Sequence, residues 1–260
     1  MTNLIRAWDW EPSIVIGCAL VCAGYFWLER FRNLKRTICF LTGILLLLLN
    51  LVSPLDALAD EYLLSAHTVQ HFFLCLLIPP LLLLGIPDEF AKAVLRMRVA
   101  WPLRSAPFTW VMGVGVMLLW QVPILFDAAL SNEPLHILQH VSLLAGGTLY
   151  WWPILSPAET ARLPILSSIS YLFTACLACS FLGAALTFGP SGIYSAYGPP
   201  EDSLHILSTL REQWGLDSAT DQKLAGLIMW VPGCFVYLSA ILAMLGRWYR
   251  APEKQGELIA

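Results

Sequence analysis

Long apolar runs recur along nearly the whole chain and constrain its fold more than any other feature. A helix needs about 20 apolar residues to cross the roughly 30 Å hydrocarbon core of a bilayer. These runs lack the polar–apolar alternation of barrel strands, which favours helices. Seven segments qualify or nearly qualify as membrane spans: 13–28, 38–52, 63–85, 108–126, 137–155, 165–188 and 224–245. The sequence therefore predicts an all-α polytopic membrane protein, with seven transmembrane helices in one domain over residues 1–260.

The composition excludes the main alternatives to a membrane protein. Hydrophobic residues make up 58% of the chain and charged residues 13%, which is about half the charge of a typical soluble domain. A net charge of −3 is too small and of the wrong sign for a nucleic-acid binder. No basic segment followed by a small-residue cleavage site precedes residue 13, so we expect the first run to remain as an uncleaved helix.

The distribution of basic residues predicts the orientation in the membrane. Of the 15 lysines and arginines, all but Arg6, Arg211 and Lys223 fall in alternate connections or the C-terminal tail. Cytoplasmic loops carry the excess of basic residues, so the N-terminus is expected outside and the C-terminus inside. The long connection 189–223 is then periplasmic, and its amphipathic part, 204–214, is expected to lie along the membrane surface.

Four of the five histidines form two copies of an H-x-x-Q-H pattern. The copies are His67 and His71 at the start of the third span, and His136 and His140 at the start of the fifth. Residues four apart share one helix face and lie about 6 Å apart along the axis, so each pair can direct two imidazoles at one point. The third and fifth spans run in the same direction, so both pairs are expected at the outer end. Gln70 and Gln139 either orient these imidazoles or bond to other helices.

A single interfacial histidine is often only a hydrogen-bonding cap, and His205 is expected to be a solvated loop residue. The duplicated pattern instead favours a metal site, because ionisable side chains are costly to bury in a membrane and usually serve a function there. Imidazole suits zinc, copper, iron and nickel. Bis-histidine haem fits less well, because haem takes one axial histidine from each side and one member of each pair would be left over.

Neighbouring side chains favour copper over other metals. Asp221 is expected at the outer mouth of the seventh span, and Met229 lies about two turns deeper. Cys75 follows His71 by four residues and extends the histidine face inward. Thioether or thiol groups beside imidazoles suit copper rather than calcium or magnesium. Plain packing remains the alternative for Met229 and Cys75.

The seven cysteines all lie in or beside predicted spans, which does not match a disulfide framework. Cys176 and Cys179 form a C-x-x-C pattern that places two thiols on one helix face. Such thiols are either small hydrophobic groups or a relay for copper.

Segments 67–87, 126–140, 151–155 and 221–233 together resemble the CtaG-like family of polytopic bacterial cytochrome c oxidase assembly factors. The resemblance implies a seven-helix protein of the bacterial cytoplasmic (inner) membrane that supports maturation of a haem–copper oxidase. The metal ligands it implies are His67, His71, His136, His140, Asp221 and Met229. Lys223 departs from the family pattern, where a neutral residue such as glutamine is expected. Its charge either weakens access of the metal to the site or extends outward to solvent.

The resulting hypothesis is a copper-binding assembly factor, not an enzyme, with its metal site on the periplasmic side. One or two copper ions would be received there, with a periplasmic copper chaperone or an oxidase subunit as partner. The alternative is a seven-span zinc hydrolase in which three histidines hold the zinc and Asp221 acts as general base. A bis-histidine membrane cytochrome is a further, weaker alternative.

The topology predicts which loops react with a membrane-impermeant thiol reagent. A cysteine introduced within 189–220 should be labelled in intact spheroplasts, whereas one introduced within the basic connection 88–105 should react only after lysis. The reverse labelling pattern would invert the predicted orientation.

Overall fold

The computed structural model describes residues 7–29, 32–198 and 202–250, and the regular secondary structure in these ranges is entirely helical. The α-helices are α1 (Pro12–Glu29), α2 (Leu34–Val52), α3 (Pro54–Glu61), α4 (Leu64–Phe72), α5 (Ile78–Gly85), α6 (Asp88–Arg96), α7 (Ala106–Trp120), α8 (Pro123–Ser131), α9 (Glu133–Leu155), α10 (Ile165–Phe188) and α11 (Ser218–Arg250). A π-helical turn, Phe73–Leu77, joins α4 to α5 and is called the π turn below. The prediction of an all-helical fold is confirmed for these ranges.

Five helical segments of the described chain are long and apolar enough to cross a membrane. They are Pro12–Glu29, Leu34–Val52, Leu64–Gly85, Ile165–Phe188 and Ser218–Tyr249. They match the first, second, third, sixth and seventh predicted spans. The chain is therefore a multi-pass membrane protein, and these five spans follow directly from its apolar runs.

The fourth predicted span is not one straight helix. It was expected to continue over 108–126, but α7 ends at Trp120 and α8 begins at Pro123, with a 73° bend between them. The cause lies in the sequence, because proline has no N–H group and holds the preceding residue, Val122, in an extended conformation. Counting the bent pair as one span gives six candidates in the described ranges.

The fifth predicted span lies in α9, which has 23 residues but is not among the helices apolar enough to qualify. His136, Gln139 and His140 lower its hydropathy at the outer end. Seven spans therefore remain a prediction, as does the orientation of the termini. Part of the charge pattern behind that orientation also lies outside the described residues: Arg6, Arg30, Lys254 and the side chain of Arg250.

The π turn precedes two prolines, and its geometry explains how α9 docks. Pro79 cannot donate a backbone hydrogen bond to the carbonyl of Cys75 four residues earlier, and a widened turn is one way for a helix to accommodate this. The Cys75 carbonyl instead accepts a hydrogen bond from Trp151 Nε1 of α9, at 3.2 Å. A buried polar group freed by the prolines is thus satisfied by the neighbouring helix.

One turn earlier on α9, Gly147 lies against the same carbonyl. A Cβ atom at this position would lie 2.7 Å from the Cys75 oxygen and 2.9 Å from Pro79 Cγ. These distances are too short for any side chain, so a glycine is required for the two backbones to approach this closely. The contact sets the depth of α9 against the α4–α5 span, and with it the relative depth of their histidines.

The described part of the connection between α10 and α11 packs over the end of the molecule where the histidines lie. Tyr197 OH donates to the carbonyl of Ala59 in α3. In the amphipathic stretch 204–214, Ile206 and Leu210 are buried in one apolar cluster with Ala59 and Tyr62. These apolar side chains therefore contact the protein, and a position of this stretch along the membrane surface stays a prediction.

Replacing Gly147 with alanine should destabilise the protein, because the added methyl group forces α9 away from the π turn. Overpacking of this kind costs about 1–3 kcal/mol, and each kcal/mol lowers the melting midpoint by about 2–4 °C in a chain of this size. Thermal unfolding of detergent-solubilised protein measures the effect. Gly17→Ala is the control, because a Cβ at Gly17 meets nothing within 4 Å and alanine favours the helix. Equal midpoints for both variants would contradict the docking contact.

Candidate metal centre

The four imidazoles occupy the first two turns of α4 and of α9. In α4 the ring centroids of His67 and His71 are 4.3 Å apart, and in α9 those of His136 and His140 are 4.2 Å apart. The rings of each pair are neighbours on one helix face, as residues four apart are, and they meet at interplanar angles of 72° and 58°. Both helices begin at the same end of the molecule, so the two pairs lie at matched depth.

The rings of the two helices also approach each other. Centroid distances are 5.6 Å between His67 and His136, 5.9 Å between His67 and His140, and 5.8 Å between His71 and His140. The structure therefore brings all four predicted histidines into one cluster, in which His67 and His140 each lie within 6 Å of the other three rings.

Nitrogen atoms of this cluster are buried without hydrogen-bond partners among the described residues. His67 is 0% exposed and neither of its ring nitrogens has a partner, and His71 is 3% exposed with its Nε2 unpartnered. Nε2 is also unpartnered in His136 and His140. A buried polar group without a partner costs free energy, and such groups are rare in folded proteins. A bound metal ion would give these nitrogens their missing partner.

Two overlapping sets of ligand atoms can each hold an ion. We call them the inner triad, His67, His71 and His140, and the outer triad, Asp60, His67 and His136. Within each triad the ligand atoms lie within 4.8 Å of one another. Metal–nitrogen bonds of about 2.0–2.1 Å require roughly 3.5 Å between ligands in a trigonal site, so the side chains would close by about 1 Å on binding. Because His67 belongs to both triads, the two positions share a ligand.

Asp60 is the member of the cluster that sequence reasoning missed. Its Oδ1 lies 3.5 Å from His136 Nε2 and 3.8 Å from His67 Nδ1, and its side chain is 32% exposed. It lies in the last turn of α3, seven residues before His67. An acidic pair four residues apart, Asp56 and Asp60, was the available signal in the sequence. Nothing in that spacing shows that α3 folds back over the histidines.

A hydrogen-bond network of Gln70 holds α4 against α2 and α3. Gln70 Nε2 donates to Asp56 Oδ1 at 2.7 Å and to the Asn50 carbonyl at 2.9 Å, while Asn50 Nδ2 donates to the Gln70 carbonyl at 3.3 Å. Of the two roles considered for this glutamine, the structure shows the interhelical one. Burial and the nearby charge of Asp60 raise the pKa of Asp56 to about 7, although the hydrogen bond from Gln70 lowers it.

Gln139, the equivalent residue of the second H-x-x-Q-H copy, is 0% exposed. Its side-chain amide is close enough to His71 to interact with the imidazole, but neither end of the amide makes a hydrogen bond of regular geometry among the described residues. It therefore adds an unsatisfied polar group to the same end of α9 as His136 and His140.

Asp221 does not join the cluster, because its carboxylate is bound to the N-terminus of α4. Its Oδ2 accepts a hydrogen bond from Leu64 N at 2.7 Å, and its Oδ1 accepts from Ser65 N at 3.1 Å and from Ser65 Oγ. The residue before α4, Leu63, has no side chain that can cap the helix. A carboxylate from α11 therefore supplies the cap and the favourable charge at this helix end. The structure places Asp221 as a support for the histidine helix.

Met229 is buried beside His71 rather than among the four imidazoles. Both line a cavity of about 20 Å³ together with Cys75.

Lys223, near the start of α11, has an exposed side chain. The sequence left two possible effects of Lys223, weaker access of the metal to the site or extension of the charge outward to solvent. The exposed side chain agrees with the second.

The two thiols of the C-x-x-C pattern have different partners. Cys176 Sγ lies 3.5 Å from Cys234 Sγ on α11, whereas Cys179 Sγ lies 3.7 Å from Met117 Sδ on α7. His205 is exposed in the connection between α10 and α11, as expected of a solvated loop residue, with a positive φ of 53°.

Curated relatives of similar sequence come from mycobacteria. The chain is 25% identical to an uncharacterised protein of Mycobacterium leprae, over 97% of this chain and 41% of the relative. It is 26% identical to uncharacterised proteins of Mycobacterium bovis and Mycobacterium tuberculosis, over 94% of this chain and 40% of each relative. The chain thus spans about two fifths of the length of these relatives. No solved structure matches it.

A family of assembly factors matches nearly the whole chain. The matched residues, 22–251, include α4, α9 and α11, which carry the histidines and Asp221. The chain therefore belongs to the Caa3_CtaG family, the cytochrome c oxidase caa3 assembly factors.

Proposed function

We propose that this protein binds copper in the imidazole cluster and supplies it to a haem–copper oxidase during assembly. The observation that carries the proposal is the set of buried, unpartnered imidazole nitrogens, arranged in two triads that share His67. Membership of the family supports the link to oxidase assembly. Copper is then a cargo of the protein, and the site is expected near the periplasmic surface of the bacterial cytoplasmic membrane.

The ligand chemistry favours copper among the metals that imidazole binds. Calcium and magnesium require oxygen ligands, and the inner triad offers nitrogen atoms alone. Zinc remains compatible with three imidazoles, but the side chains lining the next cavity inward include the sulfur atoms of Cys75 and Met229. Sulfur ligands beside imidazoles suit copper.

The two triads suggest a path for the ion. Asp60 and His136 are partly exposed, and the carboxylate of Asp60 attracts a cation to the outer triad. His67 can stay bound while Asp60 and His136 are exchanged for His71 and His140, so the ion need not lose all its ligands at once. Exchange of single imidazoles also permits release, which a cargo site requires. In this mechanism His67 binds one ion at a time.

The donor or acceptor of copper would approach the outer triad. Asp60 and His136 are its partly exposed members, although Asp60 Oδ1 and His136 Nε2 are themselves buried, whereas His67 and His71 are closed off inside the protein. A periplasmic copper chaperone or an oxidase subunit would therefore reach the metal at this face once these side chains move aside. Both partners would need a ligand of their own that can displace Asp60 or His136.

The structure gives less support to the other two hypotheses. For a zinc hydrolase, Asp221 was the expected general base, but its oxygens bind Leu64 and Ser65. For a bis-histidine cytochrome, the cavity beside His71 has about 20 Å³, far below the roughly 300–1,000 Å³ of sites for larger ligands.

Removal of single imidazoles tests the ligand assignment. His71→Ala and His140→Ala should each lower the copper content of copper-loaded, purified protein by about one equivalent, because each variant loses an imidazole of the inner triad. Elemental analysis measures this content. His205→Ala is the matched control, because His205 is exposed and distant in sequence from the cluster. Unchanged copper content in the first two variants would rule out these ligands.

Asp60→Asn should slow copper uptake without removing the inner site. The asparagine keeps the shape of the side chain but loses the charge that attracts the cation, whereas the inner triad does not contain Asp60. The time course of copper uptake at low ionic strength measures the rate. Glu61→Gln removes a charge from the neighbouring residue of α3 and should leave the rate nearly unchanged. Equal rates for both variants would contradict a role of Asp60 in uptake.

Asp221→Ala separates a helix cap from a metal ligand. Losing the cap should lower the free energy of unfolding by about 1–2 kcal/mol, while the copper content of the folded protein stays the same. Asp221→Asn, which keeps one acceptor oxygen, should lie between this variant and the wild type in stability. Loss of copper without loss of stability would instead identify Asp221 as a ligand.

A further inference from the structure

Sulfur atoms gather directly inward of the imidazole cluster. The cavity of about 20 Å³ beside His71 has eight lining residues in the described chain, and four of them carry sulfur: Cys75, Met117, Cys179 and Met229. The whole sequence has 7 cysteines and 6 methionines among 260 residues. Half of the cavity lining is therefore drawn from residue types that make up one twentieth of the chain.

The four sulfur-bearing residues come from four separate parts of the fold. Cys75 lies in the π turn, Met117 in α7, Cys179 in α10 and Met229 in α11. All four are buried. A single helix face cannot produce this arrangement, so the packing of four segments brings the sulfur atoms together.

The spacing of two of these atoms suits a shared ion. Cys179 Sγ and Met117 Sδ are 3.7 Å apart. If a metal–sulfur bond is about 2.3 Å, two sulfur ligands of one tetrahedral ion lie roughly 3.8 Å apart. The cavity volume of about 20 Å³ is on the scale of one small ion or one water molecule.

The rest of the lining provides no oxygen ligand of the carboxylate type. Besides His71, it consists of Thr68, Phe72 and Leu76. Calcium, magnesium and manganese require oxygen ligands, whereas thiolate and thioether groups select Cu(I). Charge also favours a monovalent ion, because Cu(I) bound to one thiolate is neutral and avoids an unpaired charge in the protein interior.

We propose that Cys75, Met117, Cys179 and Met229 form a second metal site, which binds Cu(I). Binding deprotonates one cysteine: Cu(I) takes the place of the thiol proton, the proton leaves the site, and no oxidant or reductant is needed. His71 belongs to the inner triad and also lines this cavity, so it lies between the two sites. The inference goes beyond the proposed function, because the sulfur site can bind Cu(I) whether or not the imidazoles do.

The test uses full-length, detergent-purified protein and Cu(I) kept reduced with ascorbate. Competition with a chromogenic Cu(I) chelator gives the stoichiometry and affinity, and X-ray absorption at the copper edge identifies the ligand atoms. His67→Ala/His140→Ala disables the imidazole cluster but keeps His71. In this background we expect one equivalent of Cu(I) to remain, with sulfur as the main scatterer.

Adding Met117→Leu and Cys179→Ala to this background should weaken the remaining Cu(I) binding at least about 10-fold, as expected for the loss of two ligands. Cys18→Ala with Met244→Leu is the matched control, since both residues are buried but lie outside the cavity. The control should keep the equivalent of Cu(I) and its sulfur scattering.

The outcomes distinguish this inference from the proposed function. If the wild type binds copper through nitrogen alone, or if a His67→Ala/His140→Ala variant that keeps the helical fold binds no Cu(I), the sulfur site is overturned and the imidazole site stands. If the wild type shows sulfur scattering without nitrogen ligands, the sulfur site is supported and the imidazole site fails. Because X-ray absorption of the wild type decides this point, a variant that fails to fold does not affect the test.

Discussion

The close approach of α9 to the π turn is the contact on which the rest of the site depends. Two prolines in the α4–α5 span leave the Cys75 carbonyl without its helical donor, and Trp151 supplies the replacement. Gly147 lets the two backbones meet at the same carbonyl. This fixed depth places the histidines of α9 beside those of α4, so a backbone feature in the membrane interior determines the geometry of a site two turns away.

The imidazole cluster is costly for the apo protein. Buried ring nitrogens lack hydrogen-bond partners, and the amide of Gln139 nearby is unsatisfied as well. Protein interiors usually avoid such groups. Here the surrounding contacts hold them in place: Asp221 caps the start of α4, and Gln70 bonds α4 to α2 and α3. If the cluster binds copper as proposed, these nitrogens are held together unpartnered because they await a metal ion, and sharing His67 between the triads would let that ion move inward.

Apolar runs and residue spacings in the sequence predicted the features that neighbouring residues determine, namely membrane spans and helix faces. Apolar runs gave five of the spans, and the i, i+4 spacing brought His67 and His71 onto one face, as it did His136 and His140. Features that depend on tertiary packing were missed. Asp60 reaches the cluster because α3 folds back over it, and Asp221 caps a helix 157 residues away in the sequence. The bend at Pro123 has a local cause, but the apolar run that continues across the proline concealed it. Met117 gave no signal at all, because its partner Cys179 lies on another helix.

The proposed function requires that imidazoles from α4 and α9 share one copper ion. Anomalous diffraction at the copper edge, from crystals of the copper-loaded protein, locates that ion. A shared ion gives a peak about 2 Å from the ring nitrogens of His67 and of at least one histidine of α9. A copper peak bound by one helix alone, or one located away from the four rings, would contradict it.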